Sequence, residues 1–138
     1  MHSRHDIRWR GYRPAYRSDL AAPLPIAFEV ARAVSAAAFL GYGIACLSSR
    51  RMDAEFRRYG LARFRRLVGT LECLGALGLL AGHFSPPILV LAAAGLTLLM
   101  ILAVVTRVRI GDSLASTLPA IVLLVTNAFV LGVAITRP

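Results

Sequence analysis

One carboxylate interrupts a long apolar stretch of this sequence, and its position is the strongest hint of chemistry. Glu72 lies in segment 67–84, which contains no other Asp, Glu, Lys or Arg. A charged side chain inside an apolar segment of membrane-spanning length is costly unless it finds a partner, so such a residue is a candidate functional group. The surroundings of its carboxyl could hold a quinone headgroup or an anion, or form part of a proton relay.

Other charged and thiol groups are expected at the same level of the molecule. If the apolar segments run antiparallel, the connectors that follow the first and third segments emerge on one side. The groups that this arrangement brings near Glu72 are Arg66, Arg107, Arg109, Asp112, Cys46 and Cys73. Two interpretations stay open: a small polar pocket, or a structural ion pair that fixes how the helices meet.

The two cysteines also leave alternatives. Cys46 and Cys73 both lie in apolar stretches and form no CxxC motif, which is typical of small buried core residues. In antiparallel helices their depths would differ by about 5 Å, at a rise of about 1.5 Å per residue, so a disulfide is also conceivable.

No set of residues in the sequence is typical of catalysis or metal binding. There is no nucleophile–base–acid arrangement, glycine-rich phosphate loop or zinc signature. His83 is the only histidine outside the first five residues, and a lone histidine is a poor basis for a metal site. We predict no catalytic residue, no metal and no cofactor, except a quinone under the pocket interpretation.

Four apolar segments must position these groups. With 57% hydrophobic residues, the chain is more apolar than a soluble domain of its length. Crossing a hydrocarbon core of about 30 Å takes roughly 17 to 25 residues. The predicted spans are 24–49, 67–84, 87–105 and 114–136. The predicted fold class is all-α, an integral membrane four-helix bundle over residues 24–138, preceded by a basic tail over 1–23.

The connectors between these spans differ in character. A turn of only a few residues joins the second span to the third, which predicts a tight antiparallel hairpin. The connector 50–66 instead carries seven arginines, with Met52, Phe56 and Tyr59 at near-helical spacing. This pattern predicts an amphipathic basic helix lying in the headgroup plane, with a solvated connector as the alternative.

The basic residues point to lipid headgroups. All sixteen are arginine, and seven acids leave a formal net charge of +9, which indicates contact with nucleic acid or with anionic lipid. Twelve of the sixteen flank apolar segments and no nucleic-acid-binding motif is present, so we predict lipid contact and no nucleic acid. The candidate lipid- or partner-binding residues are Arg10, Arg13, Arg17, Arg50, Arg51, Arg57, Arg58 and Arg65.

Small and polar residues inside the spans predict how the helices meet. Gly78 and Gly82 form a GxxxG pair in the second span, and the first span carries a ridge of Ala37, Gly41 and Ala45. In lipid, close backbone approach through small faces drives much of helix association, so these faces either close the bundle or seat a partner subunit. Two polar interactions are also expected: Asn127 should hydrogen-bond across helices, and Glu29 should pair with Arg32 three residues later.

Six short runs form a further pattern: FRRYGL at 56–61, RLVG at 66–69, LE at 71–72, LGA at 74–76, RVRIGD at 107–112 and LPA at 118–120. This pattern resembles the DoxX-like family of small bacterial membrane proteins over about residues 28–135. The resemblance implies a four-helix bundle in the cytoplasmic membrane. It also implies that Glu72 matches the family's helix-two acid, while Arg109, Gly111 and Asp112 match its loop before helix four.

The resemblance also carries functional expectations. Some relatives in the wider family resemble small subunits of quinone-linked thiosulfate oxidoreductases, and others accompany redox-defence proteins. This chain departs from the pattern in its arginine-rich tail and crowded first connector, which favour docking to another component.

Two functional hypotheses therefore stand side by side. The first is a non-catalytic accessory subunit of a larger bacterial membrane complex, respiratory or transport, multi-pass in the cytoplasmic membrane. It would pack through its small-residue faces and bind lipid or a partner through its arginines. The alternative is a small membrane subunit of a quinone- or thiol-linked oxidoreductase, with a polar pocket around Glu72. A lipid or solute carrier is a third hypothesis, which four short helices make less suitable.

Overall fold

The computed structural model describes residues 23–136, and all regular secondary structure in that range is helical. The helices are α1 (Pro23–Ser48), α2 (Arg50–Arg58), α3 (Arg65–Ala81), α4 (Pro86–Arg109) and α5 (Leu114–Thr136), with a 3-10 turn at Ala62–Phe64. The all-α prediction is confirmed. Most of the predicted basic tail, with Arg10, Arg13 and Arg17, lies outside the described residues.

The four long helices form a ring in which sequential neighbours lie side by side. Helix α1 packs mainly on α3, α3 packs on α4, and α4 packs on α5, while a smaller contact between α1 and α5 closes the ring. The ring has two ends. The terminus end contains the start of α1, the α3–α4 turn and the end of α5. The connector end contains α2, the 3-10 turn and the α4–α5 turn.

Each long helix contributes one fully buried large side chain to the core of the ring. These side chains are Phe39 from α1, Leu79 from α3, Leu96 from α4 and Val130 from α5. Alanines fill much of the remaining core, which keeps the helix axes close together. The core is therefore narrow, and most of each helix surface faces outward.

Within residues 23–136, three helices are long and apolar enough to cross a membrane: α1 from Leu24, α4 and α5. Between 22 and 28% of the most apolar part of each is buried inside the bundle. The rest presents large apolar side chains at the surface, such as Leu91 at 73% exposure and Ile26 at 68%. A surface of this kind suits lipid and does not suit water. The chain is therefore a multi-pass helical membrane protein.

Helix α3 differs from the other three in length and charge. It has 17 residues, begins with Arg65 and Arg66, and carries Glu72. The predicted span 67–84 differs from the helix at both ends. The helix begins earlier, in the arginines, and ends earlier, at Ala81. Hydropathy locates apolar residues, whereas the backbone hydrogen bonds of a helix continue into polar ones.

Helix α4 shows the same effect at its C-terminal end. It continues beyond the predicted boundary at 105 to Arg109. The glycine that follows, Gly111, has a φ of 74°, a left-handed conformation that glycine adopts without steric cost. The amide of Asp112 then donates back to the Arg107 carbonyl at 3.0 Å, which ends the helix and starts the turn into α5.

The glycines of α3 allow close helix contact on two sides. A Cβ atom added to Gly69 would lie 2.9 Å from the Cβ of Cys46 in α1, and one added to Gly78 would lie 2.7 Å from the Cβ of Ala92 in α4. Both separations are shorter than real side chains tolerate. The predicted role of small residues in helix contact is confirmed for α3.

The small-residue ridge of α1 has a different position. Ala37 and Gly41 are exposed, and a Cβ atom added to Gly41 would meet nothing within 4 Å. The glycine of α1 that does meet α3 is Gly43, where an added Cβ atom would lie 2.8 Å from the Gly69 carbonyl oxygen. The ridge of Ala37, Gly41 and Ala45 therefore does not close the bundle.

Candidate functional site

Glu72 lies on the face of α3 that packs against α1. It is 5% exposed, and its Oε2 atom has no hydrogen-bond partner among the described residues. The thiol of Cys46 lies near the same carboxyl. A buried carboxyl oxygen without a partner is unusual and calls for a proton, a water molecule or a ligand. The arrangement can accept a hydrogen bond from a small donor group.

The two cysteines flank the closest contact between α1 and α3. A Cβ atom added to Gly43 would lie 2.6 Å from the Cys73 Sγ, and one added to Gly69 would touch Cys46. Each cysteine therefore packs over a glycine of the opposite helix. Both thiols are free, with Cys46 buried and Cys73 partly buried.

Arg65, at the first position of α3, turns toward α1 and away from Glu72. Its Nη1 atom donates to the carbonyl oxygens of Cys46 at 2.5 Å and Leu47 at 3.4 Å, and its Nε atom lies 3.3 Å from the Asp53 carboxylate. The last carbonyls of a helix have no partner within the helix and carry partial negative charge, which a cation stabilises. Arg65 therefore caps the C-terminal end of α1.

The arginines predicted near Glu72 have separate positions. Arg107 pairs with Asp112, and the side chains of Arg66 and Arg109 are exposed and make no ion pair within residues 23–136. The predicted constellation is therefore divided in two. One group is Glu72 with Cys46 and Cys73, and the other surrounds Asp112. For Arg65 and Arg107 the division has a physical cause, since α2 and the α4–α5 turn supply carboxylates to these two arginines.

Asp112 is the centre of a charged group that we call the Asp112 cluster: Glu55, Arg58, Tyr59, Arg107 and Asp112. The carboxylate accepts hydrogen bonds from Arg58 at 2.6 and 3.1 Å and from Arg107 at 3.1 Å. Arg58 and the Tyr59 hydroxyl each donate to Glu55 at 2.8 Å. The guanidinium carbons of Arg58 and Arg107 lie 5.1 and 5.5 Å from the centre of the Tyr59 ring, within cation–π range. The cluster joins α2 to the α4–α5 turn.

These pairs set the protonation of the cluster. The Arg58 guanidinium holds the pKa of Asp112 below its usual range, and Arg58 with the Tyr59 hydroxyl lowers the pKa of Glu55. Burial and the Glu55 carboxylate raise the pKa of Tyr59. Both carboxylates are therefore charged at neutral pH, and the cluster is a set of ion pairs.

Sequence reasoning did not assign Glu55 and Tyr59 to a site. Their spacing carried a usable signal, because Glu55 lies three residues before Arg58 and four before Tyr59 on one helix face. The contact between Arg58 and Asp112 carried no such signal, since 54 positions separate the two residues.

Most of this chain matches a known protein family. The DoxX-like family matches residues 30–130, a range that runs from within α1 to within α5. The chain belongs to the DoxX-like family. The resemblance that the motifs predicted is thereby confirmed, and both Glu72 and the Asp112 cluster lie inside the matched range of this DoxX-like chain. No curated protein and no solved structure matches it.

The middle of this DoxX-like bundle holds one buried polar pair. The Asn127 side-chain amide donates to the Ser35 hydroxyl at 2.8 Å and to the Leu123 carbonyl at 2.9 Å. The interhelical hydrogen bond expected of Asn127 is therefore present, joining α5 to α1. Its own Oδ1 atom has no partner among the described residues.

The terminus end of the DoxX-like bundle carries a smaller polar group. Arg32 makes the expected ion pair with Glu29, and its Nη2 atom lies 3.4 Å from Nδ1 of His83 in the α3–α4 turn. Its Nη1 atom also reaches the Leu79 carbonyl oxygen at 3.5 Å. This group joins α1 to the end of α3 and is structural in character.

Proposed function

We propose that this DoxX-like protein is a non-catalytic accessory subunit of a larger bacterial membrane complex, respiratory or transport. The observation that carries the proposal is the outward ridge of Ala37, Gly41 and Ala45 on α1. Small residues four apart on a membrane helix permit close approach of another helix. Among residues 23–136, Ala37 and Gly41 of the ridge are exposed, and a Cβ atom added to Gly41 would meet nothing within 4 Å.

The surroundings of the ridge support the same role. Together with Ala38 and Tyr42 it lines a shallow groove on the surface of α1. A second groove continues from Ala38 and Tyr42 across the gap to α5, where it is lined by Leu118, Pro119, Val122 and Leu123. Both grooves are open and apolar, and the second follows the α1–α5 seam, where neighbouring long helices have their smallest contact. A transmembrane helix of a partner fits such a seam.

The proposal includes a four-span topology in the cytoplasmic membrane. With α1, α4 and α5 as three spans, helix α3 would complete the set of four, because it packs between α1 and α4 along its length. Its 17 residues reach about 25 Å, slightly less than a hydrocarbon core of about 30 Å. Arg65 and Arg66 at its start can extend to the headgroups. The arginines of the connector end favour its placement on the cytoplasmic side.

A capture experiment tests this role. The chain would be tagged at its C-terminus, expressed from its own promoter and purified from native membranes in mild detergent. We expect a membrane protein to co-purify in a fixed ratio. Recovery of the chain alone under the same conditions would contradict the proposal.

A second candidate function rests on Glu72. Its buried Oε2 atom has no partner among the described residues, and a free thiol lies beside the same carboxyl. This arrangement favours a small membrane subunit of a quinone- or thiol-linked oxidoreductase, in which Glu72 accepts a hydrogen bond from a quinol hydroxyl. Loss of quinone reduction in a Glu72→Ala variant would support this function. Unchanged quinone reduction in that variant would exclude it.

A further inference from the structure

The connector end of the bundle has more positive charge than its own acids can neutralise. We propose that it binds the phosphate groups of anionic phospholipids through five arginines: Arg50, Arg51, Arg63, Arg66 and Arg109. This inference deepens the proposed function and rests on its four-span topology, since that topology places the connector end at one headgroup layer.

The charges at this end divide into a paired and an unpaired set. Nine arginines and three exposed or partly exposed acids lie between residues 50 and 66 and between 107 and 112. Asp53 pairs with Arg57 and Arg65, while Glu55 and Asp112 belong to the Asp112 cluster. All three acids therefore already form ion pairs with the four arginines that they contact. The five other arginines make no ion pair with any residue in the described part of the chain.

The unpaired arginines are all accessible, as are Arg57 and Arg58 among the paired ones. All five are exposed, whereas Arg65 is 16% exposed and Arg107 is 25% exposed at the side chain. Arg63 stacks on Phe64 with its guanidinium carbon 4.6 Å from the ring centre, and that ring is itself 37% exposed. An aromatic ring beside a cation is typical of a side chain at the boundary between headgroups and hydrocarbon.

Helix α2 is oriented in a way that suits this layer. Its one buried side chain, Phe56, packs inward, while Arg50 and Arg51 in its first turn are exposed. The Asp112 cluster holds the helix across the end of the bundle. The arginines of α2 are thereby fixed at the membrane surface, where lipid phosphate is the abundant anion. Each arginine near an anionic surface strengthens binding to that surface.

Within residues 23–136, the unpaired arginines lie at the connector end. The one arginine that this range places at the terminus end, Arg32, is paired with Glu29.

Native mass spectrometry of the purified full chain tests the proposal. Phosphatidylglycerol and phosphatidylcholine would be titrated separately onto the protein in mild detergent. We expect tighter binding of phosphatidylglycerol, weakened by increasing salt. Arg66→Gln should weaken phosphatidylglycerol binding about fivefold, with no effect on phosphatidylcholine.

Arg57→Gln is the matched control. It removes the same charge from a side chain that is also exposed, at 72%, but is already paired with Asp53. We expect less than a twofold change in phosphatidylglycerol affinity. Equal weakening by the two substitutions would show a response to net charge alone and would overturn the assignment, as would equal affinity for the two lipids.

The test is independent of the accessory role. Lipid binding is measured on the isolated chain, so the absence of a protein partner leaves its result unchanged. The topology is read separately, from reporter fusions at the C-terminus and within 59–63. The four-span topology predicts reporters on opposite sides of the membrane, and reporters on the same side would show that the topology is wrong, whatever the result of the lipid titration.

Discussion

Helix α1 has two faces of small residues, and the bundle uses them in opposite ways. On the closed face, Gly43 and Cys46 lie against Gly69 and Cys73 of α3 at the limit of atomic contact. On the open face, a Cβ atom added to Gly41 would meet nothing within 4 Å. Positions 41 and 43 differ by two residues, which places them on nearly opposite sides of a helix. Small residues show that another helix can approach closely, but they do not identify which helix does so.

The difference between the faces lies in their polar neighbours. The closed face includes Glu72 beside Cys46, and Arg65 caps the α1 carbonyls at its edge. The open face is lined by alanine and apolar side chains. Polar groups are more stable inside the bundle, where lipid is excluded. An apolar small-residue face is equally compatible with lipid and with a partner helix. The open face is therefore the one available for association.

The largest expected effect comes from filling the closed face. Gly43→Leu would place atoms within 2.6 to 3.0 Å of the Cys73 sulfur and two backbone atoms, and backbone cannot move aside. We expect a loss of about 3 kcal/mol or more in stability, since overpacking in a tight core is costly. Thermal unfolding of the helical signal in mild detergent measures this loss. Gly41→Leu is the control, with a melting temperature near that of the unchanged chain, and a similar loss in both variants would remove the distinction between the faces.

A smaller effect is expected where α1 meets α5. Asn127→Ala removes the hydrogen bond to Ser35 at the middle of the bundle. Interhelical hydrogen bonds of this kind contribute about 0.6 to 2 kcal/mol in membranes. Unfolding in the same detergent should show a loss in that range, and Ser35→Ala should show a similar one. Additive losses in the double variant would contradict a direct pairing of the two side chains.

Helix α2 can be detached from the α4–α5 turn without separating α1 from α3 at the closed face. Asp112→Asn removes the ion pairs that hold α2 to the α4–α5 turn. We expect trypsin to cut α2 several-fold faster, with the melting temperature of the long helices little changed. Arg57→Gln, whose pair with Asp53 lies within α2, should leave the cutting rate at the other sites unchanged.

Acid should act like this substitution. Arg58 lowers the pKa of both Asp112 and Glu55, so their contribution to stability is present above the usual carboxyl pKa of about 4 and is lost as the pH falls through the lowered values. The distance between probes on α2 and α5 should therefore stay constant down to about pH 4 and increase below it. An increase at higher pH would contradict the lowered pKa values.

The smallest effect is expected at Glu72. Since no arginine pairs with this carboxyl among the described residues, Glu72→Gln removes no ion pair. We expect a change in stability of about 0.5 kcal/mol or less, in contrast to the clear loss expected of Arg65→Gln, which uncaps α1. A large loss in Glu72→Gln would instead show that the carboxyl has a structural partner.

Much of this architecture could be read from the sequence, and the site could be read only in part. Apolar length predicted the long helices, and the glycines of α3 predicted close contact, because both signals are local along the chain. The choice between Gly41 and Gly43 as the contact residue depends on how far α1 is rotated in the bundle, which the sequence does not encode locally. The partners of Arg65, Arg107 and Asp112 likewise depend on where α2 lies across the connector end.

The open face of α1 is the centre of this account, and one experiment tests it most directly. The tagged chain and its Gly41→Leu variant would be purified in parallel from native membranes, with equal amounts of folded chain verified by thermal unfolding. We predict that a membrane protein co-purifies in a fixed ratio with the unchanged chain and is lost from the variant. Equal recovery of that protein with both chains, or its absence from both, would contradict the account.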